Sequence, residues 1–153
     1  MKTKNRILFL FALLFCSLSY VSFAQTEHIV TLNVNTGEIV KPDIAPYCNF
    51  GQASDITNED FTIYVKDGDT IRWVGVSTSS EDDRVEIHSI NYQGGKNVLG
   101  ENVLNGVDGV VTGTVTNAQA GDEEKYVVYF KVFNNGTRRN GMFQIDPKVK
   151  IVE

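Results

Sequence analysis

The stretch FTIYVKDGDTIRWVGVSTSSEDDRVEIHSINY, residues 61–92, decides the fold. Phe61, Ile63 and Val65 alternate with Thr62, Tyr64 and Lys66, and a hydrophobic period of two defines a strand with one buried face. Asp67-Gly68 turns the chain, because glycine takes positive φ without a Cβ clash and aspartate hydrogen-bonds its own turn. Ile71 and Trp73 then alternate with Thr70 and Arg72; after a polar loop, Val85 and Ile87 alternate with Glu86 and His88. These strands predict a β-sheet with the loop 77–83 at one end, where β-sandwiches carry their binding loops.

The same alternation extends to both sides. Residues 28–34 (HIVTLNV) place Val30, Leu32 and Val34 on one face of a first strand. Residues 35–58 contain Pro42, Pro46 and Gly51 and hold no period, which predicts a long loop with one irregular strand near 47–50. Long loops inside compact domains are uncommon and often functional, so this segment is a second candidate for the site. Residues 94–109 are rich in Gly and Asn and predict a loop with short pieces. Strands follow at 110–115 and 126–133, with Tyr126, Val128, Phe130 and Val132 inward, and at 142–145 and 148–152, interrupted by Asp146-Pro147. No amphipathic helix, internal repeat or second domain is evident. The expectation is all-β: a single-domain antiparallel Greek-key β-sandwich, cupredoxin-like or jelly-roll-like, of about seven strands over residues 25–153.

Lys2, Lys4 and Arg6 precede the apolar run ILFLFALLF, and Ser22-Phe23-Ala24 closes the segment with small residues where a signal peptidase reads. Residues 1–24 are therefore expected to be a signal peptide, and the protein to be periplasmic or secreted. The apolar run is short for a membrane span, and Ser17, Ser19 and Ser22 dilute it. Cys16 follows Leu13-Leu14-Phe15, which is not a lipidation box.

Without that segment 11 Lys+Arg face 19 Asp+Glu, a net charge of −8. Such a balance, with no basic stripe, excludes nucleic acid as a partner and suits cations or neutral ligands such as sugars. Cys48 is the one cysteine left, so no disulfide can form within the chain. It is either a buried thiol or a bridge between chains in a homo-oligomer.

The chain carries no nucleophile–base constellation. His28 and His88 are its only histidines, and no Gly-x-Ser-x-Gly, His-Glu-x-x-His or phosphate-cradling glycine loop occurs. An enzyme is therefore not expected. The loop 77–83 instead gathers oxygens from Ser77, Thr78, Ser79, Ser80, Glu81, Asp82 and Asp83. Hard oxygens suit Ca²⁺, with Glu81, Asp82 and Asp83 as candidate ligands, and carboxylates also accept sugar hydroxyls. Trp73 and Tyr92 flank the loop in sequence and could stack on a sugar. The candidate ligand surface is therefore Trp73, Ser77, Ser79, Asp82, Asp83 and Tyr92. A simpler account makes the acidic run a solvated tip and Trp73 a core residue, in step with Ile71.

Two family resemblances follow from these residues. Gly68-Asp69-Thr70-Ile71-Arg72-Trp73, Gly75, Ser77-x-Ser79 and Asp82-Asp83-x-Val85, with the ending from Asn140-Gly141-Met142-Phe143 through Asp146-Pro147 to Ile151, resemble the AidA/PixA family of bacterial inclusion-body proteins. The chain departs from that family in its export signal and in Gln144-Ile145, where an aromatic pair is expected before Asp-Pro. The resemblance implies a sandwich fold, and sugar binding has been suggested for some members. The order of the Gly-Asp-Thr strand, Trp73, His88 and Gly141-Met142 is similar to the cupredoxins, whose copper is held by two His, one Cys and usually a Met. Here the segment between Phe133 and Met142 is NNGTRRNG, with neither Cys nor His, so this resemblance implies the fold without type 1 copper. The expected function is an exported, non-catalytic module binding carbohydrate or another small ligand. The alternatives are a structural or self-assembling envelope protein and a degenerate cupredoxin.

Overall fold

The computed structural model describes residues 25–153; the expected signal peptide, residues 1–24, lies outside the described residues. Two sheets face each other. The first holds β1 (Glu27–Val34), β2 (Cys48–Asn49), β4 (Thr70–Ser77) and β7 (Val111–Thr114) in the order β2-β1-β4-β7. The second runs β3-β11-β8-β5-β6, from β3 (Thr62–Val65), β11 (Lys148–Ile151), β8 (Glu123–Asn134), β5 (Arg84–Gly95) and β6 (Val103–Asn105). Two further strands, β9 (Thr137–Arg138) and β10 (Phe143–Ile145), pair with β8. The expected sandwich is present, with more strands than the seven anticipated, several of them only two or three residues long.

The alternating residues fill the space between the sheets. Val30, Leu32 and Val34 of β1, Ile71 and Trp73 of β4, Val85 and Ile87 of β5, and Tyr126, Val128, Phe130 and Val132 of β8 are all buried. Burying each such side chain contributes about 1.5–3 kcal/mol, so this interleaved set dominates the stability. Gly75 sits where β4 crosses β5: a Cβ there would strike the Val85 side chain and lie 2.9 Å from its carbonyl oxygen. Close approach therefore requires glycine at that point.

Pairing is mixed, which corrects the antiparallel expectation. β1 runs parallel to β4 over all eight of its residues, from Glu27 beside Thr70 to Val34 beside Ser77. β11 runs parallel to β3, while the β8 pairs with β5, β10 and β11 are antiparallel. Parallel neighbours need a crossover of about a dozen residues or more, and the segment 35–69 between β1 and β4 supplies it. Within it come a single 3₁₀ turn (Ala45–Tyr47), the short β2 and the stacked rings of Phe50 and Phe61, 4.6 Å apart. Among the described residues no helix is long and apolar enough to cross a membrane.

Candidate functional site

The loop 77–83 is built into a hydrogen-bonded clasp. The buried Thr36 hydroxyl donates to Asp83 Oδ2 at 2.6 Å and lies 2.7 Å from both the Ser77 and Ser79 hydroxyls. Asp83 also accepts from Asn134 Nδ2 at 2.7 Å and from the Asn135 amide at 3.0 Å. Asn134 Nδ2 and Arg139 each donate to the Thr36 carbonyl at 3.1 Å. Three loops, around 36, 77–83 and 134–139, are thus tied at one end of the sandwich. The Thr36 hydroxyl in particular, with the Asn135 and Asn134 donors, holds the Asp83 carboxyl below its ordinary pKa.

This arrangement disperses the residues of the expected ligand surface. Ser77, Ser79 and Asp83 bond within the protein, while Glu81 and Asp82 remain exposed. Among the described residues, Glu81, Asp82 and Asp83 included, no three Asp, Glu, His or Cys side chains gather where a metal ion could sit. Trp73 is 1% exposed and has no face to offer a sugar. Tyr92 pairs with Tyr126 toward the far end of β5, roughly 25 Å of strand beyond Arg84, and its hydroxyl donates to the Gly95 carbonyl at 2.8 Å. It does not flank the loop.

A different concavity lies beside β10. A groove of about 500 Å³ has residues 42–45 and 57–59 on one wall and Gln144, Ile145 and Asp146 on the other, with Val127 and Gln93 also bordering it. A shallower depression of about 280 Å³ shares Pro42, Ile44 and Gln144 with it and extends to Lys41, Met142 and Phe143. The loop wall is held by specific bonds. Asn58, 8% exposed, donates to the Cys48 carbonyl at 2.9 Å and accepts from Gln52 at 2.8 Å, and the Ala45 amide donates to Asp43 at 3.1 Å. Lys125 pairs with Asp146 at 2.7 Å and Lys148 with Asp60 at 3.4 Å, whereas Asp43 and Glu59 have no ion-pair partner among the described residues. Gln93 reaches the groove because β5 carries a register shift between Tyr92 and Gly94. Of these residues only the aperiodic segment 35–58 was marked by the sequence as a second candidate site.

Cys48, His28, Asp69 and Glu124 each make hydrogen bonds within the protein. Cys48 is a free, buried thiol that burial, with the Asp43 charge adding, pushes up to about 12. His28 Nε2 lies 2.8 Å from Asp69 Oδ2. Burial works to raise the Asp69 carboxyl, yet the Lys66 and Thr26 amides and His28 together hold it below its ordinary value. Buried Glu124 accepts from the Val98 and Leu99 amides through Oε2 at 2.6 and 3.1 Å, leaving Oε1 without a partner, and burial raises its pKa.

Mixed sheets, a close β4–β5 crossing and an Asp-Pro break before the last strand characterise this β-sandwich. The chain is similar to the inclusion body protein PixA from Burkholderia cenocepacia J2315, with a TM-score of 0.59 and 10% identity over 87% of this chain and 99% of that one. At that identity the likeness shows the fold. A laccase from B. aclada aligns at a TM-score of 0.33 and 11% identity over 84% of this chain and 30% of that one, too distant to carry an argument. No family model and no curated protein matches the sequence.

Proposed function

We propose that this chain is an exported, periplasmic or secreted, non-catalytic binding module that seats a polar ligand in the groove beside β10. The observation that supports it is the groove itself. Its volume of about 500 Å³ falls in the range of ligand sites, and it sets amides, carboxylates and the Thr57 hydroxyl around the apolar Val127 and Ile44. Those polar groups bond sugar hydroxyls and peptide groups alike, so the carbohydrate expectation moves here from the loop 77–83. The groove is walled partly by strands of the sheet, which favours a preformed site.

Thermal melts of the mature protein against a panel of glycans and short peptides, with Ca²⁺ and with EDTA, test this. At least one ligand should raise Tm in the wild type by mass action, about 2.7 kcal/mol at a hundredfold excess over Kd. The gain should shrink in the Gln93→Ala/Gln144→Ala variant. A panel without response would remove the proposal and leave a structural or self-assembling envelope protein as the better account.

A further inference from the structure

Resting on that groove as the ligand seat, we infer that its occupant is an extended basic peptide, which adds a strand to the open edge of β10 and places a Lys or Arg between Asp43 and Glu59. β10 bonds β8 through Phe143, Gln144 and Ile145 and pairs with no other strand. Among the described residues, no backbone hydrogen bond links residues 143–145 to the facing segment 41–45. A strand bonded on one side presents N–H and C=O groups along its other edge, and that edge is a template for a further strand.

The groove reaches this edge. Ile145 borders it although the residue is only 6% exposed, and Gln144 borders both depressions. The donors and acceptors of a strand edge repeat at a spacing set by the peptide unit, which another main chain matches residue for residue and a pyranose ring does not. None of the residues lining the larger depression is aromatic, so it lacks the flat ring on which sugars stack.

Charge selects the kind of peptide. Asp146 is already engaged by Lys125, whereas Asp43 and Glu59 have no ion-pair partner among the described residues. Both lie on the loop wall of the larger depression and would complement a cationic side chain. Toward the other end, Lys41 Nζ sits 5.5 Å from the centroid of the Phe143 ring. A bound strand would therefore carry its cation at the Asp43 end and an apolar or acidic residue near Lys41.

Three peptides test this on the mature protein: an alternating Lys-Val strand, its Glu-Val counterpart, and the Lys-Val strand N-methylated at alternate amides along either edge. The Lys-Val peptide should bind, the Glu-Val peptide should not, and methylation of one edge should abolish binding while the charge is kept. Asp43→Lys/Glu59→Lys should weaken the Lys-Val peptide on the order of tenfold, and amide exchange at residues 143–145 should slow when that peptide binds. Binding that survives methylation of both edges, or that leaves exchange at 143–145 unchanged, overturns the inference. If a glycan stabilises the protein through Gln93 and Gln144 while no peptide does, the groove stands as the ligand seat and the peptide inference fails. If neither class binds, both fail together.

Discussion

Trp73 Nε1 donates to the Tyr126 hydroxyl at 3.1 Å, joining the two sheets in the middle of the core, with the rings edge to face at 5.6 Å. Both residues are essentially unexposed. Burial raises the Tyr126 pKa, so the hydroxyl stays neutral and able to accept this bond. Trp73→Ala should cost about 3–5 kcal/mol, because a large cavity opens where the sheets meet. Tyr126→Phe should cost about 1–3 kcal/mol, because it strands a buried indole N–H. Denaturant melts of both single variants and the double variant give the coupling. A Trp73→Ala protein as stable as the wild type would return Trp73 to the surface.

Ionising Glu124 is less favourable in the folded protein than in the unfolded chain. Its carboxyl has a raised pKa in the folded state, so the folded protein holds its proton where the unfolded chain releases it. The sign follows: its contribution is most favourable in acid and is lost as pH rises from the ordinary carboxyl range through the raised folded value. Glu124→Gln keeps an oxygen for the Val98 and Leu99 amides and removes the charge, so the variant should gain Tm relative to the wild type as pH rises above the ordinary carboxyl range. Parallel Tm–pH profiles for the two proteins would show that Glu124 does not titrate in that window.

Cys48 should be inert. It is 4% exposed with its thiol pushed up to about 12, so native protein at pH 8 should resist thiol reagents and react only when denatured. Non-reducing electrophoresis should show a single monomer band. A disulfide-linked dimer would show that Cys48 reaches the surface.

The inward faces were legible because period two is local. Tyr126, Val128, Phe130 and Val132 announce their burial by alternation alone, and Ile71 carries Trp73 with it. Strand neighbours were not legible: alternation says which face of β1 is buried but not that β4 lies beside it in parallel. The site was least legible. Asp83 looks like one of three consecutive carboxylates, yet its partners Thr36, Asn134 and Asn135 stand 47, 51 and 52 residues away. The groove joins 42–45 to 144–146 across some hundred residues, and only the loss of period in 35–58 hinted at one wall.

The acidic loop gives the sharpest test, because its neighbouring carboxylates should respond in opposite ways. Read as a run, Asp82 and Asp83 repel, and neutralising both should leave the protein unharmed or slightly more stable. In the structure Asp83 is the acceptor at the centre of the clasp, while Asp82 is exposed, its backbone amide donating to Ser80 Oγ at 3.2 Å. Asp82→Asn should leave Tm unchanged. Asp83→Asn should lower it, since an amide placed between Thr36 and Asn134 offers a donor where both neighbours also donate. Thr36→Val, which removes the shared hydroxyl, should cost about 1–3 kcal/mol. Because the Asp83 pKa is depressed in the folded state, its stabilisation is present above the ordinary carboxyl range and is lost as pH falls through the folded value. The wild type should therefore lose its advantage over Asp83→Asn in acid, seen as Tm values that converge as pH falls below the ordinary carboxyl range. If Asp83→Asn instead melts with or above the wild type at pH 7, the clasp does not hold the three loops and the acidic run is a solvated tip.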